Sequence, residues 1–449
     1  MSFLTITGRR PLSGSLTVQG AKNSVLPILA ACVLVPGECV LHNCPDLSDV
    51  RSTLAILQGL GCRVRREGST VCVDASGVEY RAIPPEQMRQ MRSSFIFFGA
   101  ILGRVGEAAL GYPGGCELGP RPIDLHLEAL RALGAQIWEE NGVVFGRGGS
   151  CLRGAAVHLP FPSVGATENA MLVACACSGD TVITGAAQEP EIEDLQAFLN
   201  AAGAVVRGAG TDRIVICGAR PLHGTQHRVM SDRIVAATCL AAVGAAGGQA
   251  RLQGVSGRWI TPVTAVLEQA GCCIEQKRDG LYIRASRPMG DGGFVRTAPY
   301  PGFPTDAQAV VMAALAAGAG ESCFEETMFQ SRYRHVPELG RMGADIRVDG
   351  RRALVRGRPL HAAQVESTDL RGGAALVVAA LAAEGTSRVG ALHHIDRGYE
   401  CVEEMFAQLG AQIRREDTQE EVTPCRRQEE NEIVTAGAAA SALSISCWP

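Results

Sequence analysis

Lysine is almost missing from this 449-residue chain: of its 42 basic residues, all but Lys22 and Lys277 are arginine. The formal net charge is −4, so no broad basic field marks nucleic acid as the main partner. No stretch approaches the roughly 20 uninterrupted apolar residues of a membrane-spanning helix. The first ten residues carry no apolar run of signal-peptide length either. These absences predict a cytoplasmic protein with no membrane partner. Also missing are a pair of Cys-x-x-Cys motifs and a His-Glu-x-x-His, the spacings that hold zinc, so no metal is expected. Cysteine is plentiful, but 17 is an odd number and the residues show no paired spacing. In a long chain without a secretion signal this reads as reduced thiols, mostly small core residues.

The length allows two or three domains, and 46% hydrophobic against 20% charged residues suits a large buried core. A helix-like pattern ending in glycine, then a small residue and an alternating strand, recurs at Gly61, Gly134, Gly203, Gly271, Gly343 and Gly410. Successive copies lie 67 to 73 residues apart. Glycine at that place is the left-handed cap of an amphipathic helix. In the first copy Val50, Leu54, Leu57 and Leu60 mark the apolar face, with Asp49 as candidate cap. Cys62–Arg65 and Thr70–Val73 then read as a hairpin. A second series of small apolar segments ends near Gly37, Gly106, Gly179, Gly247, Gly320 and Gly385. Helices such as Ala374–Ala383 are apolar on most faces and are predicted to lie buried. Six units in two groups of three predict two similar α/β domains with a binding cleft between them. The repeats end near Arg415, and 416–449 reads as a flexible tail.

The chemistry concentrates in a few places. Gly111–Leu125 is a turn-rich loop around one thiol, Cys116, five residues before Arg121. An accessible thiol near a cation is reactive, and an arginine fork grips phosphate or carboxylate. The alternative is a surface loop that holds one of many thiols. Lys22 stands at the predicted start of a buried helix, where Asn23 or Ser24 would cap and Pro27 would occupy the first turn. A cation is out of place at that end of a helix unless an anion is held there. A surface lysine at a domain junction is the alternative. Arg92 and Arg371 hold repeat positions equivalent to Lys22, so the three converge if the buried helices point at one cleft. Ser163, Asp232 and Thr305 read as helix caps. Asp306 either takes a proton from a hydroxyl or caps its helix. Arg397 either pairs with Asp396 on the surface or serves the site. One lysine, several arginines, a thiol and a carboxylate describe a site for a small polyanion bearing phosphate and carboxylate.

Longer motifs sharpen this reading. Gly20-Ala-Lys22-Asn23, Pro113-Gly-Gly-Cys116, Gly119-Pro-Arg121-Pro-Ile-Asp124-Leu125, Glu189-Pro-Glu191 and Gly210-Thr-Asp-Arg213 occur in order. Phe303-Pro-Thr-Asp306, Thr368-Asp-Leu-Arg371 and His394-Ile-Asp-Arg-Gly-Tyr-Glu400 follow them. Together, from about Thr5 to Gln412, they resemble the UDP-N-acetylglucosamine 1-carboxyvinyltransferases of the enolpyruvyl transferase family. The resemblance implies a two-domain, inside-out α/β barrel of six repeats. Residues 1–21 and 231–415 would form one domain, closed by the N-terminal strand, and 22–230 the other, carrying the Cys116 loop.

It also implies transfer of enolpyruvyl from phosphoenolpyruvate to the 3-hydroxyl of UDP-N-acetylglucosamine with release of phosphate. This is the first committed step of peptidoglycan synthesis, and so tied to cell shape and division. By the same resemblance, Cys116 protonates the methylene, can form a covalent adduct with phosphoenolpyruvate, and is the thiol that fosfomycin alkylates. Asp306 accepts the hydroxyl proton. Lys22, Arg121 and Arg397 hold phosphate, Arg371 and Arg397 the carboxylate, and Asn23 the tetrahedral intermediate. Arg92, Arg121, Pro122, Ile123, Asp124, Leu125, Val164, Asp306 and Met328 contact the nucleotide sugar. Protonating a carbon and deprotonating a hydroxyl in one water-poor cleft requires no metal or organic cofactor. The chain departs from the family pattern at Gln188, Val235, Ala237 and Ser331. These departures leave a quiet, sugar-binding paralogue as the alternative. A shikimate-pathway transferase shares the architecture, but the Cys116 loop and the 121–125 run argue against it.

Overall fold

Among the described residues, six helices that are apolar on nearly every face form the interior, and their sequences explain why. We label them α1 (Lys22–Ala31), α2 (Ile96–Val105), α3 (Val164–Ala176), α4 (Arg233–Ala246), α5 (Thr305–Ala316) and α6 (Leu370–Ala382). Alanine and glycine let such helices approach closely, and every residue of α4 is buried. In the computed structural model, α2 packs on both α1 and α3, while α4, α5 and α6 pack on one another. The structure describes residues 2–81, 83, 86, 88, 92–112, 114, 122–286 and 288–417. Cys116, Arg121 and the 418–449 tail lie outside that set.

Among the described residues six small sheets accompany the helices, five of four strands and one of three. The expected hairpin is present as Arg63–Glu67 against Thr70–Asp74, with Glu67 opposite Thr70. All six glycines of the first series have positive φ, between 80° and 102°, as a left-handed helix cap requires. The N-terminal strand Ser2–Thr7 pairs antiparallel with both Thr386–Gly390 and Gln412–Asp417. The next strand, Leu12–Thr17, runs parallel to Gly248–Gln253.

Two hydrophobic clusters result. One gathers residues from Val25 to Val229, and the other joins Leu4–Val18 to Val235–Ile413. The chain crosses between them twice, and the crossings are tied together. Gly20 bridges Ser231, Ala21 N donates to Met230 O at 2.7 Å, and Asp232 N donates to Gln19 O at 2.8 Å. No helix of the described residues is long and apolar enough to cross a membrane.

Some local expectations fail. Helix α1 begins at Lys22 with Ala21 as its cap residue, so neither Asn23 nor Ser24 caps it and Pro27 lies inside the helix. Ser24 instead donates its hydroxyl to Asp194 at 2.5 Å. Ser163 and Asp232 do cap, accepting backbone N–H groups of α3 and α4. Thr305 does not: it is the first residue of α5, and its hydroxyl donates to Glu326.

Candidate functional site

The start of α1 and the outer helix Ser48–Gly59 bring Lys22 to Asp49, with Nζ 2.8 Å from Oδ2. This corrects the reading of Asp49 as a cap. Leu47 occupies the cap position, and Asp49 sits buried in the first turn. Its carboxylate also receives Arg397, Nε to Oδ1 at 3.0 Å and Nη2 to Oδ2 at 3.3 Å. Arg397 therefore does not pair with its neighbour Asp396, which holds Arg415 instead. The anion that a lysine at a helix N-terminus calls for is supplied by the protein's own Asp49.

A second cluster lies at the starts of α5 and α6. Asp306 sits between two arginines, Arg332 Nη2 at 2.8 Å from Oδ1 and Arg371 Nη2 at 3.1 Å from Oδ2. Both guanidinium groups are buried, each residue 2% exposed, so Asp306 compensates charges that water cannot reach. Arg332 Nε and Nη2 also donate to the Thr305 carbonyl at 3.2 and 2.8 Å. Arg371 Nη1 donates to the Tyr399 hydroxyl at 3.4 Å, and that oxygen is 2.8 Å from Thr238 Oγ1. Among the described residues, Arg371 Nε is buried with no hydrogen-bond partner. That leaves a donor to spare.

The two clusters share a field. Burial pulls the Lys22 ammonium below the ordinary lysine range. Asp49 opposes that pull, and Arg397 and Arg371 add to it. Burial pushes the Asp49 carboxyl up, but Lys22 and Arg397 outweigh it and hold it below the usual aspartate value. For Arg371 burial works against the charge, and the Asp306 carboxylate and the Tyr399 oxygen more than restore it. Four cations (Lys22, Arg332, Arg371 and Arg397) thus meet two carboxylates in one neighbourhood. Such a group can bind an anion with several oxygens and can move a proton through Asp306.

Of the other candidates, Asn23 is exposed beside Lys22. Pro122 is exposed and Ile123 buried, and both precede the helix Asp124–Ala132, in which Asp124 is exposed and Leu125 half-buried. Val164 opens α3 and is half-buried. Met328 is half-buried, and its N–H donates to Glu326 at 2.8 Å. Arg92 opens a short 3-10 turn before α2; its side chain, like Cys116 and Arg121, lies outside the description. Among the departures, Val235 and Ala237 are buried in α4, and Gln188 is half-buried. Sequence reading missed Asp49 as an anchor and Arg332 as a site residue. In the sequence Arg332 stands out only as the residue after Ser331, and nothing local marks it as buried.

Comparison with known proteins bears on the fold and the family. A family model described as EPSP synthase (3-phosphoshikimate 1-carboxyvinyltransferase) matches residues 6–406. The enolpyruvyl transferase NikO from Streptomyces tendae superposes with a TM-score of 0.82 at 23% identity, covering 92% of this chain and 98% of that one. EPSP synthase from Acinetobacter baumannii gives 0.73 at 20%, covering 93% and 100%. The fold is therefore that of the enolpyruvyl transferases, a mixed α/β fold. Closer relatives narrow the class. UDP-N-acetylglucosamine 1-carboxyvinyltransferase 2 of Caldanaerobacter subterraneus subsp. tengcongensis is 45% identical over 92% of this chain and 100% of its own length. The Gloeobacter violaceus enzyme of that name is 45% identical over 92% and 90%. The chain belongs to the UDP-N-acetylglucosamine 1-carboxyvinyltransferase family.

Proposed function

We propose that this protein transfers the enolpyruvyl group of phosphoenolpyruvate to the 3-hydroxyl of UDP-N-acetylglucosamine, releasing phosphate. The observation that carries this reading is the gathering of Lys22, Arg371 and Arg397 around Asp49 and Asp306, with Arg371 Nε left as a buried, unused donor. Phosphoenolpyruvate offers a phosphate and a carboxylate, and separate cations suit the two groups. In this reading Lys22, Arg121 and Arg397 take the phosphate, and Arg371 and Arg397 take the carboxylate. Asn23 steadies the tetrahedral intermediate. Arg92, residues 121–125, Val164 and Met328 hold the nucleotide sugar.

The proton balance follows from two groups. The sugar hydroxyl adds to C2 of the enol phosphate while Asp306 takes its proton, and the Cys116 thiol delivers a proton to C3. Phosphate then leaves from C2 as C3 gives its proton back, which restores the double bond. Arg332 and Arg371 hold the Asp306 carboxylate between them, at 2.8 and 3.1 Å, and so fix where it meets the hydroxyl.

We further propose a two-domain, inside-out α/β barrel of three repeats per domain, with residues 1–21 and 231–415 in one domain and 22–230 in the other. The two separate hydrophobic clusters and the two chain crossings support this division. The site then lies between the domains. The setting is the cytoplasm and the first committed step of peptidoglycan synthesis, which ties the enzyme to cell shape and division. Fosfomycin would alkylate Cys116.

The test is phosphate release from phosphoenolpyruvate with and without UDP-N-acetylglucosamine, for wild type, Cys116→Ala and fosfomycin-treated protein. Sugar-dependent release that collapses in the second and third supports the reading. A folded protein that binds the sugar nucleotide but releases no phosphate would instead be a quiet paralogue.

A further inference from the structure

Glu326 follows the strand Glu321–Glu325 and is 1% exposed, yet no cation lies on its carboxylate among the described residues. A buried carboxylate of that kind is costly unless donors occupy its oxygens. Three do so. Oε2 accepts the Thr305 hydroxyl at 2.9 Å, and Oε1 accepts the N–H groups of Met328 at 2.8 Å and Phe329 at 3.1 Å.

The donors come from two segments that matter to the site. Thr305 precedes Asp306, and its carbonyl accepts the same Arg332 guanidinium that bonds Asp306. The Met328 turn is fixed on its other side as well. Thr327 N donates to Thr297 Oγ1 at 2.9 Å, Thr327 Oγ1 donates to Thr297 O at 2.6 Å, and Arg351 Nη1 donates to Thr327 O at 2.8 Å. Arg351 Nη1 bonds only backbone carbonyls of this segment, so the turn reaches α5 through two side chains, Arg332 just beyond it and the Glu326 carboxylate that holds its own N–H groups.

We infer that Glu326 is a positioning residue for the nucleotide sugar, one carboxylate that sets the reach between Asp306 and the Met328 turn. This rests on the transferase reading above. Losing the carboxylate removes the bond that fixes the Met328 and Phe329 N–H groups relative to Thr305, leaving Arg332 as the remaining tie, and loosens the grip on the sugar, while the cations proposed for phosphoenolpyruvate keep their own partners.

The experiment measures KM for each substrate, kcat and thermal midpoint for Glu326→Ala, Glu326→Asp, Glu326→Gln and Thr305→Val. Alanine, and aspartate one methylene too short to span both segments, should raise KM for UDP-N-acetylglucosamine about tenfold. KM for phosphoenolpyruvate should move by no more than about twofold. Glutamine keeps Oε1 for both N–H groups and should recover most of the loss. Thr305→Val deletes one of the three bonds at constant size. It should raise the sugar KM about threefold, and it serves if the alanine variant does not fold. The inference is overturned if the two KM values move together, or if the midpoint falls while both stay at wild-type values. A wild-type protein without sugar-dependent phosphate release would overturn the transferase reading instead.

Discussion

Asp49 and Arg397 stand 348 positions apart in the chain, and the Arg397 fork lies along the Asp49 carboxylate at 3.0 and 3.3 Å. Lys22 meets the same carboxylate at 2.8 Å. One acidic side chain on an outer helix therefore organises two of the three cations proposed to hold phosphate, and it joins segments from both hydrophobic clusters. An incoming phosphate would compete with Asp49 for both.

Removing that carboxylate should be expensive. Asp49→Ala leaves Lys22 as a buried ammonium without its counter-ion, beside Arg371 and Arg397. Breaking a buried pair in this way costs about 3 kcal/mol. Arg397 is more exposed, its side chain 36% accessible, so its share is the smaller. Urea denaturation of wild type and variant reads the difference. A loss below about 1 kcal/mol would show that water already screens the triad.

His335 supplies a prediction at acid pH. It is wholly buried, and among the described residues no well-aligned hydrogen bond reaches either ring nitrogen, the Arg332 backbone making at most a weak one. Burial pulls its pKa down to about 4, with the Asp369 carboxylate only partly opposing. In the unfolded chain an imidazole titrates near about 6.5, so as pH falls the unfolded state takes up the proton first. The contribution is therefore complete above about pH 6.5 and declines toward about pH 4. Stability should drop by about 2 kcal/mol from this group between about pH 7 and pH 5. His335→Phe should flatten that part of the profile. Identical profiles for the two proteins would rule the imidazole out.

What the sequence made legible follows the range of the forces involved. The glycine at each helix end and the side chains of Ser163 and Asp232 act within a few residues, so local rules found them. Lys22 stood out because lysine is so rare here. Asp49 and Arg332 were hidden for the opposite reason. An acid in the first turn of a helix looks locally like a cap, and only the tertiary fold brings Arg397 to it. Arg332 looks like any surface arginine until α5 covers it. Pro27 misled because the first-turn rule is sound, but the helix starts at Lys22, five residues before the proline.

Glu168 yields the opposite pH dependence. It is buried on α3, and burial pushes its carboxyl well above the ordinary range, with Glu191 and Glu189 pushing the same way. Glu191 already has its cation, with Arg233 Nε at 2.9 and 3.2 Å from its two oxygens. The folded state thus keeps a proton on Glu168 that the unfolded chain gives up near about pH 4.3. Stability from this group is present below that value and is lost as pH rises through the higher folded pKa. Glu168→Gln, which mimics the protonated acid, should exceed wild type in stability by a margin that grows from about pH 5 to pH 8. A constant margin in urea titrations would mean that Glu168 is not held protonated.

Two glycines should respond in opposite directions to the same added methyl group. A Cβ on Gly20 would lie 1.8 Å from the Asn43 carbonyl oxygen, at the point where the two chain crossings pair. Backbone cannot move aside there, because Asn43 is itself held by Val229 O at 2.9 Å and Ala21 by Met230 O at 2.7 Å. Gly20→Ala should cost about 3 kcal/mol, the upper range for forced overpacking, and should impair turnover by shifting Lys22 two residues on. Gly59 ends the outer helix Ser48–Gly59 with nothing within 4 Å of its Cβ direction. Gly59→Ala should add about 0.5 kcal/mol through helix propensity and a less flexible unfolded chain. Denaturation midpoints of the two variants decide the matter. Equal effects would mean that the crossing tolerates a side chain and that the Gly20–Ser231 bridge is not a rigid joint.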